Sequence, residues 1–155
     1  MLQRIQSIYL LFASLVLFAL FIFPLAHGLF VDGKLIDVTV TGVTENVNGA
    51  DRPVQSFVAL TVLTAIVGLI PLVIIFLYKN RKQQIALIYS TILVLIGYSF
   101  WMAQTVKKVV GPITLEYRNM GIGLFLTSLS IILLIFAAKA VQRDEKLVKS
   151  ADRLR

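Results

Sequence analysis

Four long runs of apolar residues, separated by polar segments, occupy most of the chain. None of the runs contains Asp, Glu, Lys, Arg or His, and they cover residues 8–26, 56–78, 85–103 and 121–138. About 18 apolar residues are enough to cross a hydrocarbon core of roughly 30 Å as a helix. The pattern therefore predicts an all-α integral membrane fold in which four transmembrane helices form a bundle.

The polar sequence between the runs is short, so the 155 residues predict a single membrane domain. Hydrophobic residues make up 58% of the chain. The first run also resembles a signal peptide, because Arg4 precedes it. However, its 19 residues exceed the usual apolar region of about 7 to 15, and residues 25–28 offer no small-x-small cleavage site. We expect this run to be retained as a helix.

The basic residues predict the orientation of the helices. Both termini and the connection between the second and third runs share one side, and these segments carry ten of the fifteen Lys and Arg residues. The opposite side carries five of the eight acidic residues. Basic residues mark the cytoplasmic side of a membrane, so both termini are expected in the cytoplasm. Tyr9 and Tyr78 would then lie at the inner interface and Trp101 and Tyr117 at the outer one, where aromatic rings concentrate.

The first outer loop, residues 27–55, is long enough to fold. Asp32 and Gly33 stand between apolar residues, which is a strong signal for a two-residue hairpin turn. Residues 36–41 alternate between apolar and polar types, which predicts a strand with one apolar face. We expect that face to be buried against the second outer loop or the helices, and its members are Ile36, Val38 and Val40.

The second outer loop, residues 104–120, contains a turn signal at Gly111 and Pro112. The residues that follow, 113–117, could add another short strand. An isolated hairpin is marginally stable in water. The loops therefore predict a small extracytoplasmic hairpin or sheet packed on the outer ends of the helices.

Small and hydroxyl residues recur at helical spacing inside three of the runs. Such residues let membrane helices approach closely, and their hydroxyls bond to the same helix or to a neighbour. We predict that they are helix-packing positions, and a polar ligand pocket is the alternative. The predicted packing residues are Thr64 and Gly68 in the second run, Ser90 and Gly97 in the third, and Gly123, Thr127 and Ser130 in the fourth.

Residues suited to catalysis or metal binding are few. The chain has no cysteine, and its one histidine, His27, has no evident second ligand or catalytic partner. The acidic residues of the first outer loop do not match the spacing of an EF-hand. Pro71 predicts a fixed kink, because no run supplies a charged partner for a substrate site. The sequence predicts no catalytic, cofactor or metal residue, and a protein that is not an enzyme.

The formal net charge of +7 and the positions of the basic residues indicate which kind of partner the protein binds. The basic residues stand at the ends of the apolar runs and not on one soluble surface. That distribution is typical of proteins that meet anionic lipid headgroups. Membrane lipids are therefore expected partners, whereas nucleic acid is not.

The C-terminal segment 139–155 contains neither Gly nor Pro, so no residue in it stops the fourth helix at the membrane surface. We predict that this helix continues into a cytoplasmic tail. One side of the tail is apolar and would dock a partner or lie against headgroups. This predicted partner-binding stripe consists of Leu147, Val148, Ala151 and Leu154.

Both ends of the chain are similar to a known family. Residues 1–11, the four runs and residues 144–155 resemble a family of small bacterial four-helix inner-membrane proteins known only as a domain of unknown function. The resemblance covers the whole chain. It implies a location in the bacterial inner membrane, and it implies no catalytic or ligand-binding residue.

Three classes of function fit these observations. We favour a non-enzymatic membrane subunit or assembly factor that joins other inner-membrane proteins in a larger complex. A transporter or channel usually needs intramembrane ionisable residues or a polar path, so this chain would have to act as a homo-oligomer. The third class acts on or binds lipid: a membrane enzyme would need titratable groups that converge at an interface, which the sequence does not indicate, and a lipid-binding protein is the other form of this class. Gentle purification followed by identification of bound proteins, lipids or further copies of the chain would separate the three.

Overall fold

The computed structural model describes residues 2–31, 33–47, 50–78, 80–111 and 119–152. This part of the chain forms four α-helices, a 3-10 turn at Ala19–Phe21 and one β-sheet. The helices are α1 (Leu2–Phe18), α2 (Val58–Phe76), α3 (Arg81–Val110) and α4 (Gly123–Asp152). The strands are β1 (Ala26–Val31), β2 (Lys34–Val38), β3 (Gly42–Val47) and β4 (Ala50–Ser56).

Three of the helices are long and apolar enough to cross a membrane, and they contain residues Val58–Phe76, Arg81–Val110 and Gly123–Val148. The first helix is also apolar, over Ile5–Phe21, but it is shorter. The chain is thus mostly helical with a small antiparallel sheet, which confirms the coarse fold class that the sequence predicts.

The helices differ in their ends from the predicted spans. The first run was expected to be helical to residue 26, but Ala26 already belongs to β1. The reason is Pro24, which lacks a backbone N–H and disfavours helical geometry in the residue before it. The third helix continues to Val110, so the prediction of a loop from residue 104 is wrong for residues 104–110. Val106 and Val110 are buried, and this packing sustains the extra two turns.

The predicted continuation of the fourth helix is confirmed. Helix α4 runs without interruption from Gly123 to Asp152, which is 30 residues. At a rise of 1.5 Å per residue it is about 45 Å long. It is therefore longer than the apolar run that begins it, and its last part lies beyond residue 138.

The four helices pack side by side. Helix α1 lies between α2 and α4, and α3 contacts both α2 and α4. Each helix buries one stripe of side chains towards the shared core, as expected from residues that recur every three or four positions. The first turn of α1 and the last turns of α4 lie at the same end as the α2–α3 connection. We call this the terminal end, and the opposite end the sheet end.

The sheet is a meander in which each strand pairs antiparallel with the next, in the order β1-β2-β3-β4. In the first hairpin Val31 pairs with Lys34, and Gly33 adopts a φ of 78°. The hairpin predicted here is present, although Asp32 lies outside the described residues. A second hairpin, in which Val47 pairs with Ala50, was not predicted. The strand proposed for residues 113–117 falls outside the described part of the chain.

The apolar face of the sheet covers the sheet end of the helices. Ile36, Val38 and Val40 are all buried, as expected. Main-chain hydrogen bonds join the sheet to the segments that flank the helices: the Leu25 N–H donates to the Val38 carbonyl at 2.7 Å, and the Gly121 N–H, two residues before α4, donates to the Leu25 carbonyl at 2.9 Å. The sheet is therefore one body with the helices around it.

Candidate functional site

Hydroxyl groups hold α1 to both of its neighbours at one level of the core. The Ser130 hydroxyl of α4 donates to the Ala13 carbonyl at 3.2 Å, and the adjacent Ser14 hydroxyl donates to the Gly68 carbonyl of α2 at 2.6 Å. Ser14, Gly68 and Ser130 are all buried. Each of these hydroxyls is used in a contact between helices and is not free for a ligand.

A second buried contact joins α2 to α3. The Thr64 hydroxyl lies 2.6 Å from the Leu60 carbonyl and 2.7 Å from the Tyr98 hydroxyl. Thr64 has only one hydroxyl proton, and a carbonyl can only accept. Tyr98 is therefore the donor of the second bond. Its phenol proton is satisfied inside the core, where an unpaired hydroxyl would cost free energy.

The predicted packing residues of α2 and α4 lie at close contacts. A Cβ atom added to Gly68 would lie 3.2 Å from the ring of Phe18, and one added to Gly123 would lie 2.8 Å from the Pro24 carbonyl oxygen. Thr127 is buried and bonds to the Leu124 carbonyl of its own helix at 3.3 Å. Gly68 is thus needed for the approach of α1 and α2, and Gly123 for the approach of α4 to the segment between the 3-10 turn and β1.

The predicted packing pair of α3, Ser90 and Gly97, does not lie at a contact between helices. Ser90 and Gly97 are exposed, and within the described part of the chain a Cβ atom added at Gly97 would meet nothing within 4 Å apart from its own helix backbone. The buried stripe of α3 instead contains Ile88, Leu95 and Met102. The spacing of Ser90 and Gly97 therefore does not mark a helix contact within this chain.

Three of the helices end their buried stripes in a polar residue at the terminal end. Gln6 of α1 is 1% exposed, Gln84 of α3 is 0% exposed and Asp144 of α4 is 8% exposed. The Gln84 amide donates to the Ile74 carbonyl at 3.2 Å, and the same carbonyl also accepts the Leu77 N–H at the end of α2, at 3.1 Å. The Oε1 atoms of Gln6 and Gln84 accept no hydrogen bond from the described residues.

A partly buried ion pair closes the same end. The Arg81 guanidinium nitrogen Nη2 lies 3.1 Å from Asp144 Oδ2, with side chains 24% and 11% exposed. This contact meets the distance of an ion pair but not the angles of a hydrogen bond. Gln142 lies one turn of α4 beyond the end of the predicted span, and its side-chain amide donates to the Tyr89 hydroxyl at 3.1 Å. Helix α4 therefore stays packed on α3 well past residue 138.

The predicted partner-binding stripe is only partly described. Leu147 is 49% exposed and Val148 is 39% exposed. The side chain of Ala151, and all of Leu154, lie outside the described residues. Val148 stands four residues after Asp144, so it continues the line of side chains through which α4 packs on α3. At Val148 this line is no longer buried.

An apolar groove of about 290 Å³ runs between α2 and α3 on the outside of the protein. It begins beside Ile74, whose carbonyl accepts the Gln84 amide, and extends towards the sheet end. Its wall has almost no polar surface. The residues that line it are Ile66, Leu69, Ile70, Val73, Ile74 and Leu87.

Titratable groups do not gather into a reactive set in the part of the chain that the structure describes. No three His, Asp or Glu residues there are close enough to hold a metal ion. His27 is exposed, and Asp144 is paired with Arg81. General acid–base chemistry needs titratable groups that converge on a reacting atom. The arrangement described here suits packing and binding.

The sequence matches one family model over residues 2–154, and the description of that family is domain of unknown function (DUF4293). The chain belongs to this family. Membership in DUF4293 confirms the resemblance to a family of unknown function that the two ends of the chain suggest. No curated protein matches the sequence.

Sequence reasoning missed the polar terminal end of this DUF4293 protein. Gln6 and Gln84 stand just outside the predicted spans, and Asp144 was assigned to a solvated tail. Helical spacing was the available signal, because Gln6 precedes the buried Leu10 by four residues and Gln84 precedes the buried Ile88 by four.

Proposed function

We propose that the protein is a non-enzymatic, integral subunit or assembly factor of a larger complex in the bacterial inner membrane. The observation that carries this proposal is the end of α4. The helix continues to Asp152, past the last buried residue of its stripe, and exposes Leu147 and Val148 there. Leu147 is 49% exposed and Val148 is 39% exposed, so burying the rest of each side chain on a partner would gain about half of the roughly 1.5–3 kcal/mol of full burial. The exposed end therefore supports a docking role.

The proposal includes four membrane spans in one bundle. Helix α1 supports this because its outer face is apolar as well as its buried stripe: Ile8, Leu11 and Phe12 are exposed. A helix that is apolar all round suits a surrounding of lipid and other helices. Residues Ile5–Phe21 would span about 25 Å at 1.5 Å per residue, which a slightly thinned bilayer accommodates.

The proposed orientation places the terminal end in the cytoplasm and the sheet outside. Single cysteines at Ser7, Asn48, Gln83 and Ser150 would test it in intact cells treated with a membrane-impermeant thiol reagent. Only the cysteine at position 48 is expected to react. Labelling of the cysteine at position 83 or 150 from outside would contradict the orientation.

The core gives less support to a transporter or channel. Ions cross membranes along ionisable residues or continuous polar paths. In the described core the hydroxyls of Ser14, Thr64 and Ser130 are each bonded to another residue. Leu10, Leu17 and Leu95 are fully buried and fill the space between them. A polar path within one copy would need these contacts to be replaced.

The docking role is tested by changing the end of α4. Leu147→Ser combined with Val148→Ser removes the exposed apolar surface but leaves residues 121–138, the apolar run of the fourth helix, unchanged. We expect the protein to insert normally and to lose its co-purifying partners. The matched control is Arg143→Ser combined with Lys146→Ser, which alters exposed residues of the same helix. If the double serine variant at 147 and 148 keeps every partner of the parent protein, α4 is not the docking element.

A further inference from the structure

We propose that the groove between α2 and α3 holds one acyl chain of an anionic phospholipid, with the phosphate at the first turn of α3. This inference rests on the membrane insertion and the orientation in the proposed function, and it does not rest on the docking role. The groove is apolar, lies on the outside of the helices and begins at the terminal end. Its chemistry and its position both suit a lipid of the cytoplasmic leaflet.

The length of the groove matches one leaflet. Its wall on α2 runs from Ile66 to Ile74, which is about 12 Å at 1.5 Å per residue. Half of a hydrocarbon core is roughly 15 Å thick. A groove of that length, parallel to the helices and open to the side, accommodates an acyl chain from one leaflet but is too short for an element that spans the membrane.

The charge at the terminal end of the groove is positive. Between Ile74 and Leu87 the sequence contains Lys79, Arg81 and Lys82, and it contains no Asp or Glu. Arg81 is paired with Asp144, whereas the side chain of Lys82 is exposed. A basic residue near the surface of a membrane attracts anionic lipids. Lys82 stands in the first turn of α3 on its outward side, next to the helix face that lines the groove, and is the exposed basic side chain expected to reach the headgroup.

The first turn of α3 adds a second attraction for a phosphate. Helix geometry leaves the backbone N–H groups of Arg81 and Lys82 without an acceptor inside α3, and the first turn contains no acidic residue. The positive end of a helix dipole favours an anion. Gln83 precedes Leu87 by four residues and therefore stands on the helix face that lines the groove. Its exposed amide supplies a further donor beside the same opening.

A lipid-binding experiment on the isolated full-length protein tests this proposal. The protein is purified in mild detergent and titrated with phosphatidylglycerol or phosphatidylcholine of identical acyl chains, and native mass spectrometry counts the lipids retained. We expect one phosphatidylglycerol to bind about fivefold more tightly than phosphatidylcholine, which is the effect of one basic residue. Equal affinities for the two lipids would overturn the proposal.

Two variants test separately the contribution of the groove and the contribution of the basic side chain to lipid binding. Ile70→Trp fills the groove and is expected to remove the tight lipid, whereas Leu129→Trp, on an exposed part of α4, is the matched control and should not. Lys82→Gln changes only an exposed side chain, so the protein should fold normally and lose its preference for phosphatidylglycerol. Retention of the tight lipid by Ile70→Trp, or of the preference by Lys82→Gln, would refute the assignment.

The result is independent of the partner complex. The measurement needs no partner, so the lipid site can fail while the docking role of Leu147 and Val148 stands. Equally, loss of the docking role leaves the lipid titration unchanged.

Discussion

The contact between Gly68 and Phe18 gives the sharpest test of how the helices pack. We predict that Gly68→Val destabilises the protein and that the same substitution at Gly97 does not. Both glycines lie inside helices, so the change in helix propensity is the same at the two positions. Gly97 has open space around it, whereas a Cβ at Gly68 already lies 3.2 Å from the ring of Phe18.

The magnitude follows from the packing of α1 on α2. The two further methyl groups of valine cannot fit beside a Cβ that is already tight, so the helices must move apart or the ring must turn. Overpacking of this kind costs about 1–3 kcal/mol. Separation of the helices would also weaken the bond from Ser14 to the Gly68 carbonyl, which is 2.6 Å long, and a bond of this type contributes about 0.6 kcal/mol on average.

The assay is reversible unfolding in mixed micelles with increasing sodium dodecyl sulfate, followed by far-UV circular dichroism. We expect the free energy of unfolding to fall by about 1–3 kcal/mol for Gly68→Val relative to Gly97→Val. Gly97→Val should stay within about 0.5 kcal/mol of the parent, as surface substitutions usually do. Equal effects of the two substitutions would show that the close approach of α1 and α2 at Gly68 is wrong.

Three further predictions concern single contacts. A double-mutant cycle of Thr64→Val and Tyr98→Phe, measured by the same unfolding assay, should give a coupling of about 0.6–1.7 kcal/mol, and additive effects would contradict the bond. Gly33→Val forces a β-branched residue to a φ of 78°, which costs about 1–3 kcal/mol, and faster amide exchange in the first hairpin than in the parent should reveal it. Arg81→Gln should destabilise more than Arg81→Gln combined with Asp144→Asn, because the single change leaves a partly buried carboxylate without its partner; the opposite order of stabilities would contradict the pair.

Hydropathy predicted the apolar helices well because burial in lipid or in a core demands the same residues. It failed at the helix ends, since a window of hydropathy stops at the first polar residue. Gln6 and Gln84 are as deeply buried as Leu10 and Ile88, the residues four positions after them. The Gln84 amide nitrogen is bonded to the Ile74 carbonyl, whereas the Oε1 atoms of both glutamines are buried and accept no hydrogen bond from the described residues.

The two hairpins differ in how visible they are in the sequence. The first has both an Asp-Gly turn and an alternating strand. The second has an Asn-Gly turn signal at residues 48–49, which could have located it, but its last strand contains Pro53 and does not alternate. Proline is accepted only at the edge of a sheet. Strand β4 is indeed an edge strand. Its sequence therefore fits the edge of a sheet and lacks the alternation of a strand with one buried face.

The packing of Asp144 changes which part of α4 is available to a partner. The sequence assigned the tail from residue 139, yet Val141 is fully buried and Asp144 pairs with Arg81 at the start of α3. The line of side chains that packs on α3 therefore becomes exposed only after Asp144. Val148 continues the line of Val141 and Asp144 along α4, beyond the level of Arg81, the first residue of α3. A partner helix docked at Val148 would lie in line with α3, beyond its first turn. The proposed docking site therefore depends on the first turn of α3 as well as on α4.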